Sequence, residues 1–399
     1  MGFSFGLKSN TVAIFDIGSG SVGVCLAKIS TSADGDSKPT ILFSKRVYMK
    51  VEDELNFPLF LDTMLKTVSE ASALLVSSGL PVPQSVHCFL HTPWYVSHSR
   101  TVHTEKNVPF TITNAFIQQT IQTEIELFQK TEFINYRPYH EMNIIEQYAT
   151  SSRINGYQIE NPIGKKGSTF DVSIFISLTP QKIINDIKLA IEKNINLADR
   201  NIHFHSNICA TYGLIRDMFI DLPNYLLIDV GGEITDIAVI KDNVLLHAAS
   251  FPSGQNTLIR SLMQGYSYTQ AEAFALLRSV LNGQADSSTT ARVEEIVAPV
   301  RNEWLKDFQG LLVKLSNNVS LPHNIFLVSE SDLTLWYTDC IKREEFSQYM
   351  LTEKKFSVTA FAAPSIYEYC SFAPNVTDHD YALIVYTLTI NKIHPIIMS

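Results

Sequence analysis

A chain of 399 residues is longer than one hydrophobic core usually supports, so two or more domains are expected. Its 45% hydrophobic and 18% charged residues are typical of a folded globular protein and argue against intrinsic disorder. The net charge of -9 argues against nucleic acid as the main partner.

The chain shows no sequence signal for a membrane span or for secretion. No apolar run reaches the ~18 residues that a spanning helix needs, and the N-terminal segment MGFSFGLKSN is too weakly apolar for a signal peptide. We expect this segment to be a leader, in which Phe3, Phe5, Leu7 and Lys8 are the residues able to touch a membrane surface. The five cysteines are odd in number and form no CxxC pair, which favours reduced thiols and a cytoplasmic location.

Strand-like and helix-like segments alternate along the chain, which predicts an α/β fold. Runs rich in Val, Ile and Phe predict the strands, and apolar residues at helical spacing predict the helices. We predict strands at 11–17, 23–29, 38–51 and 85–96, and helices at 59–78, 113–130, 181–195 and 291–315, the last with a kink at Pro299.

The segment AIFDIGSGSVGVCLAKI, residues 13–29, interrupts a strand with a turn of glycine and serine. Such a turn exposes successive backbone N–H groups, which form an anion site suited to phosphate. Asp16 at its mouth would repel a phosphate unless a divalent cation lies between them. The pattern therefore indicates a nucleotide with Mg²⁺, although an ordinary hairpin turn has the same composition.

A second segment, YLLIDVGGEITDIAV at residues 225–239, repeats this pattern. An apolar strand ends in Asp229, Gly231 and Gly232 follow, and a second strand resumes with Asp236 inside it. Two such hairpins predict a duplicated architecture in which each half offers one phosphate loop to a central cleft.

This pair of hairpins resembles the phosphate loops of the actin, sugar kinase and Hsp70 superfamily, and within it the branch of FtsA and its relative PilM. The segment 142–178, with its NPxG turn, resembles the end of the subdomain that FtsA inserts. The segment 251–277 resembles a Gly-Asn-Thr helix followed by an Ala-Glu helix, and DYALIVYTLTIN resembles the last helix. The resemblance extends from about residue 11 to 392.

The resemblance implies a bilobed actin-like fold, in which two ribonuclease H-like cores face a nucleotide cleft and an FtsA-type α+β subdomain is inserted. The first core would comprise 1–100, with the phosphate-1 hairpin, and 181–221, with the connecting helix. The inserted subdomain would cover 101–180. The second core, with the phosphate-2 hairpin, would cover 222–399 and include a small subdomain at about 258–320.

The resemblance also implies ATP and Mg²⁺ as ligands, with at most slow ATP hydrolysis. Asp16 and Asp229 would hold Mg²⁺ through waters, and Asp229 or Glu233 would orient an attacking water. The implied phosphate-binding residues are Gly18, Ser19, Gly20, Ser21, Gly231 and Gly232, and the further cofactor-binding residues are Thr235, Gly254, Asn256 and Glu272. Glu272 has a second interpretation, because TQAE at 269–272 matches a capping box.

Two departures from the family pattern affect these expectations. Ser329, Glu330 and Ser331 replace the glycines of the adenosine motif, so their side chains would crowd a nucleotide, and Glu330 would repel its phosphates. FtsA proteins typically end in a basic amphipathic helix that lies on the membrane, whereas this sequence ends in NKIHPIIMS, where Pro395 discourages a helix. Membrane contact would then come from residues 1–8 or from a partner.

Four histidines, His87, His91, His98 and His103, lie close together in sequence without accompanying acidic ligands. Because their strand-like context spreads them over both faces, we interpret them as structural or surface residues and not as a metal site.

As a function, the resemblance implies a cytoplasmic actin-like adaptor that self-associates into filaments and links a membrane complex to a cytoskeletal partner. In the FtsA case, that partner is FtsZ and the process is cell division. Three alternatives stay open. They are a PilM-like component of a type IV pilus or secretion assembly, which binds an inner-membrane protein's tail, a nucleotide-free scaffold, and a sugar or acetate kinase.

Overall fold

The structure, a computed structural model, describes most of the chain. The described ranges are 9–30, 38–135, 141–196, 202–316, 320–330, 332–343, 355–361 and 366–397. The predicted leader at residues 1–8 and Ser331 lie outside these ranges.

The first sheet contains the strands that carry the first hairpin. Its order is β15-β3-β2-β1-β4-β9, with β1 to β3 antiparallel and with β4 and β9 added in parallel. The strands are β1 (Ser9–Ile17), β2 (Ser21–Ser30), β3 (Thr40–Tyr48), β4 (Ser85–Leu90), β9 (Ile202–Ser206) and β15 (Ser371–Phe372), and the flanking helices are α1 (Phe57–Ser77), α3 (Gln181–Glu192), α4 (Asn207–Met218) and α9 (Tyr381–Ile397).

Helices on both faces explain why the central strands are apolar without alternation. Val12 to Phe15 are all fully buried, because both faces of a covered sheet lie inside the protein. Helix α1 begins where the Asn56 side chain accepts a hydrogen bond from the Leu59 N–H at 3.3 Å. It buries Met64, Val68, Ala71 and Leu75, which lie three to four residues apart on one helical face.

The second sheet repeats the first. Its order is β12-β11-β10-β13-β14, in which an antiparallel meander is again extended by parallel strands. The strands are β10 (Tyr225–Val230), β11 (Thr235–Lys241), β12 (Val244–Phe251), β13 (Asn324–Val328) and β14 (Ser357–Ala360), and the helices are α5 (Gln255–Tyr266), α6 (Gln270–Leu281), α7 (Ser287–Ser316) and α8 (Thr334–Arg343). The duplication predicted from the two hairpins is therefore confirmed.

A third sheet lies between β4 and α3 in the chain. It has the order β5-β8-β6-β7 and its own core with α2, and its elements are β5 (Val96–Thr111), α2 (Asn114–Asn135), β6 (Met142–Ile154), β7 (Tyr157–Gln158) and β8 (Lys166–Pro180). An inserted α+β unit was predicted here. That it is the FtsA-type subdomain, and the proposed domain boundaries, stay predictions.

Three prolines bear on the predicted elements. At Pro299 the predicted single helix is confirmed, and the kink there stays a prediction. The strand predicted at 85–96 ends at Leu90, because Pro93 has no N–H to continue the ladder. Helix α7 continues through Pro299, and α9 continues through Pro395 to Ile397. The expectation that Pro395 ends the helix was therefore wrong, since one proline removes one backbone hydrogen bond and a helix can continue beyond it. Within the described ranges, no helix has the length and apolarity to cross a bilayer.

Candidate functional site

The two glycine hairpins face each other across the middle of the molecule. Each turn is closed by a backbone hydrogen bond, from Gly18 N to Ser21 O at 3.1 Å and from Gly231 N to Ile234 O at 2.9 Å. The turns are in direct contact, because a Cβ atom on Gly20 would lie 2.8 Å from the Gly232 Cα. Only glycine permits this approach of two backbones.

Side chains extend this contact between the hairpins. The backbone N–H of Glu233 donates to Ser19 Oγ at 3.0 Å, which joins the second hairpin to the first. The Glu233 carboxylate accepts hydrogen bonds from Asn256 Nδ2 and Arg260 Nη2, both at 2.9 Å. Gly254, which precedes α5, is equally constrained, since its Cβ would lie 2.4 Å from the carbonyl oxygen of Gly231. Glu233 therefore already has cationic and amide partners.

Two predicted cofactor residues have structural partners instead. Thr235 is fully buried, donates to the Ser253 carbonyl at 2.6 Å and lies 3.1 Å from Trp304 Nε1. Glu272 accepts from the Thr269 N–H at 2.8 Å, while its own N–H donates to Thr269 Oγ1. The capping box is confirmed. Neither residue lines the cleft among the described residues, and their roles in nucleotide binding stay predictions.

Asp16 is paired with an arginine from the third strand of the same sheet. Asp16, Gly23 and Arg46 lie side by side on β1, β2 and β3. Because Gly23 has no side chain, the guanidinium reaches across it, and Arg46 Nη2 donates to Asp16 Oδ2 at 2.6 Å. A Cβ on Gly23 would lie 2.8 Å from that nitrogen. Arg46 also donates to Ser21 Oγ and to both carboxylate oxygens of Asp380, just before α9.

His91, directly after β4, connects the aspartates of the two hairpins. Its Nε2 donates to Asp16 Oδ1 at 2.6 Å, and its Nδ1 lies 3.2 Å from Asp229 Oδ2. Asn207, the first residue of α4, donates to the same Asp229 oxygen at 2.5 Å. The sequence analysis missed this role of His91. The acidic neighbours come from β1 and β10, so no local spacing indicates them.

The pKa values follow from this charge network. Burial opposes the charged forms of Asp16 and His91. Their mutual attraction, together with Arg46 and Asp229, outweighs burial, so the pKa of Asp16 is lowered and that of His91 is raised to about 10. His91 is therefore a cation at neutral pH. Beyond it, burial and the charge of Asp229 raise the pKa of Asp236 to about 7.

A cavity of about 510 Å³ opens beside the hairpins. Ser329 and Glu330 stand in its wall, where the family pattern has glycines, while Ser331 lies outside the described residues. Burial raises the pKa of Glu330. Three buried polar atoms of the lining residues have no hydrogen-bond partner within the described ranges: Glu330 Oε1, Gln255 Oε1 and the Tyr381 hydroxyl.

The residues present fit Mg²⁺ with ATP poorly. The glycine turns and the size of the cavity suit a nucleotide. However, both carboxylate oxygens of Asp16 already accept hydrogen bonds from His91 and Arg46. The hairpins that would enclose phosphate touch each other at Gly20 and Gly232. The implied metal ligands are thus neutralised by side chains of this chain. No group of three or more His, Cys, Asp or Glu able to hold a metal occurs in the described part of the chain.

Comparison with known proteins gives matches of structure only. No protein-family model matches the chain, and no curated protein matches its sequence. PilM in the PilM-PilN type IV pilus biogenesis complex has a TM-score of 0.60 and 12% identity, over 95% of this chain and 96% of that chain.

Two further solved structures are similar at a lower level. EutJ from Carboxydothermus hydrogenoformans, an ethanolamine utilization protein, has a TM-score of 0.42 and 13% identity, over 96% of this chain and 89% of its own. A protein with an actin-like ATPase fold from Bacteroides thetaiotaomicron has a TM-score of 0.42 and 11% identity, over 95% of each chain. At such identities a likeness reports the fold alone, and the PilM match carries the argument. The chain has the actin-like ATPase fold that the sequence predicted, in a form similar to PilM.

Proposed function

We propose that this protein is a PilM-like adaptor, which binds a PilN-like partner in a type IV pilus or secretion assembly. The observation that carries the proposal is the match to PilM at a TM-score of 0.60 over 95% of this chain and 96% of PilM, in a complex with PilN. A match over nearly both complete chains includes the inserted unit as well as the two cores, so the likeness extends beyond the nucleotide cleft that many proteins of this fold share.

The charge pairing in the cleft favours a protein that binds a partner over an enzyme that hydrolyses ATP. Proteins of this fold generally bind ATP with Mg²⁺, yet here Asp16 and Asp229 are held by His91, Arg46 and Asn207. A carboxylate engaged in this way is a poor water-mediated metal ligand. The adaptor therefore acts without hydrolysing nucleotide, and partner binding does not require ATP.

The test is partner choice by the purified full chain. It is titrated calorimetrically with the cytoplasmic segment of the PilN-like protein of the same organism and, separately, with the C-terminal tail peptide of FtsZ. We expect micromolar or tighter binding to the PilN-like segment, the same affinity with and without Mg·ATP, and no binding to the FtsZ peptide. A scrambled PilN-like segment is the control for charge alone.

Binding to the FtsZ tail without binding to the PilN-like segment would contradict the proposal and favour the cell-division role. A purified chain that phosphorylates a sugar or acetate with repeated release of ADP would contradict it in favour of a kinase. Self-association into filaments and contact with the inner face of the plasma membrane stay open. Sedimentation with and without anionic vesicles measures both.

A further inference from the structure

Among the described residues, the charged groups on the floor of the cleft are already paired with one another. All three guanidinium nitrogens of Arg46 donate hydrogen bonds, to Asp16, Asp380 and Ser21. The strand register places Asp16, Gly23 and Arg46 side by side. The ion pair between Asp16 and Arg46 is therefore fixed by the backbone of the sheet. His91 completes it from β4.

The wall above this floor carries hydrogen-bond acceptors without partners. Gln255 is 6% exposed, lines the cavity, and its Oε1 has no partner among the described residues. Glu330 lines the same cavity, and its buried Oε1 also has no hydrogen-bond partner among the described residues. A buried acceptor without a partner costs free energy. A ligand that brings hydrogen-bond donors to both atoms would recover that free energy.

The net charge of the side chains that line the cavity decides whether the cavity attracts a cation or an anion. Its basic side chains are Arg46 and Arg278, and both are paired with lining carboxylates, Arg278 with Asp332 at 2.7 Å. The lining contains six carboxylates among the described residues: Asp16, Asp229, Glu330, Asp332, Asp378 and Asp380. The six carboxylates outnumber the two arginines and the two lining histidines together, so the wall is negative on balance. It repels a polyphosphate and attracts a cation.

We propose that the cleft of this protein binds a small organic cation rich in N–H donors, of the amine or guanidine class, in place of Mg·ATP. Gln255 and Glu330 accept its hydrogen bonds, and Asp378 adds charge at the cavity wall. A volume of about 510 Å³ suits a molecule of metabolite size. This inference concerns the cleft and does not depend on which protein partner the adaptor binds.

The test is a set of calorimetric titrations of the full chain at fixed ionic strength. The probes are agmatine, which carries one guanidinium and one ammonium, spermidine, and Mg·ATP. We expect one of the two amines to bind with a dissociation constant below 1 mM, and no heat from Mg·ATP. Glu330→Gln should weaken amine binding at least tenfold, and Gln255→Met should also weaken it. Glu303→Gln, which removes an exposed charge on α7, should leave it unchanged.

Three results would overturn the inference. The first is that neither amine binds the wild-type chain at 10 mM. The second is that Glu330→Gln and Glu303→Gln weaken binding equally, because net charge alone would then attract the amines. The third is that Mg·ATP binds at micromolar concentration. Melting curves of each variant show that it is folded. If Glu330→Gln does not fold, the Gln255→Met comparison and the wild-type titrations still decide the question.

Discussion

Gly232→Ala tests directly whether the two glycine hairpins touch each other in solution. The added methyl group would lie 2.4 Å from Gly20 Cα, 2.5 Å from Gly20 N and 2.7 Å from the carbonyl carbon of Ser19. Carbon atoms normally pack about 3.5–4.0 Å apart, so the hairpins must separate by about 1 Å. Overpacking costs about 1–3 kcal/mol, and all three contacts are with backbone, which cannot rotate away.

The separation also lengthens the hydrogen bond from Glu233 N to Ser19 Oγ, whose loss costs about 1 kcal/mol. We therefore expect Gly232→Ala to lower the free energy of unfolding by about 2–4 kcal/mol in urea denaturation. Gly310→Ala is the matched control. That glycine lies in α7 with no atom within 4 Å of an added Cβ, so alanine should raise stability by about 0.5–1 kcal/mol. If Gly232→Ala costs less than about 1 kcal/mol, the hairpins are apart in solution and the contact between Gly20 and Gly232 is wrong.

Three further changes test individual interactions. Arg46→Met leaves Asp380 without a cation and Asp16 with His91 alone, and it should cost about 3–5 kcal/mol in urea denaturation. Arg46→Lys should recover only part of that loss, because an ammonium cannot reproduce the guanidinium fork, and full recovery would contradict this geometry. The pKa of Asp236 is raised from 3.8 to about 7, so its carboxyl destabilises the fold increasingly as pH rises through that range and has no effect below it. Asp236→Asn should therefore raise the melting temperature at pH 8 and leave it nearly unchanged below pH 4, whereas an equal rise at both pH values would refute the sign. Thr269→Ala removes the cap of α6 and should cost about 1 kcal/mol, and an unchanged melting curve would mean that the cap contributes nothing.

The sequence predicted the parts of the site that local chemistry encodes. The two glycine turns were predicted as phosphate loops, because glycine in a turn exposes successive backbone N–H groups. The direct contact between the two turns came from the structure alone. The capping box could be predicted from the sequence TQAE, since both of its hydrogen bonds join residues that are three positions apart. The pairing of Arg46 with Asp16 was harder to predict. A charged residue in an apolar strand, opposite Gly23 and then Asp16, is visible only when the three strands are aligned in register.

The partners of the aspartates could not be predicted in this way. His91 was grouped with its sequence neighbours, yet the structure pairs it with Asp16 and Asp229 on two different sheets. Glu330 was expected to obstruct a nucleotide, but in the tertiary structure its Oε1 is buried and, like Gln255 Oε1, has no hydrogen-bond partner among the described residues. The sequence by itself therefore determined the glycine hairpins, their duplication and the four predicted helices, because period and turn chemistry are local. The tertiary structure alone decided which charges neutralise the cleft, because ion pairs depend on distances between segments that are far apart in the chain.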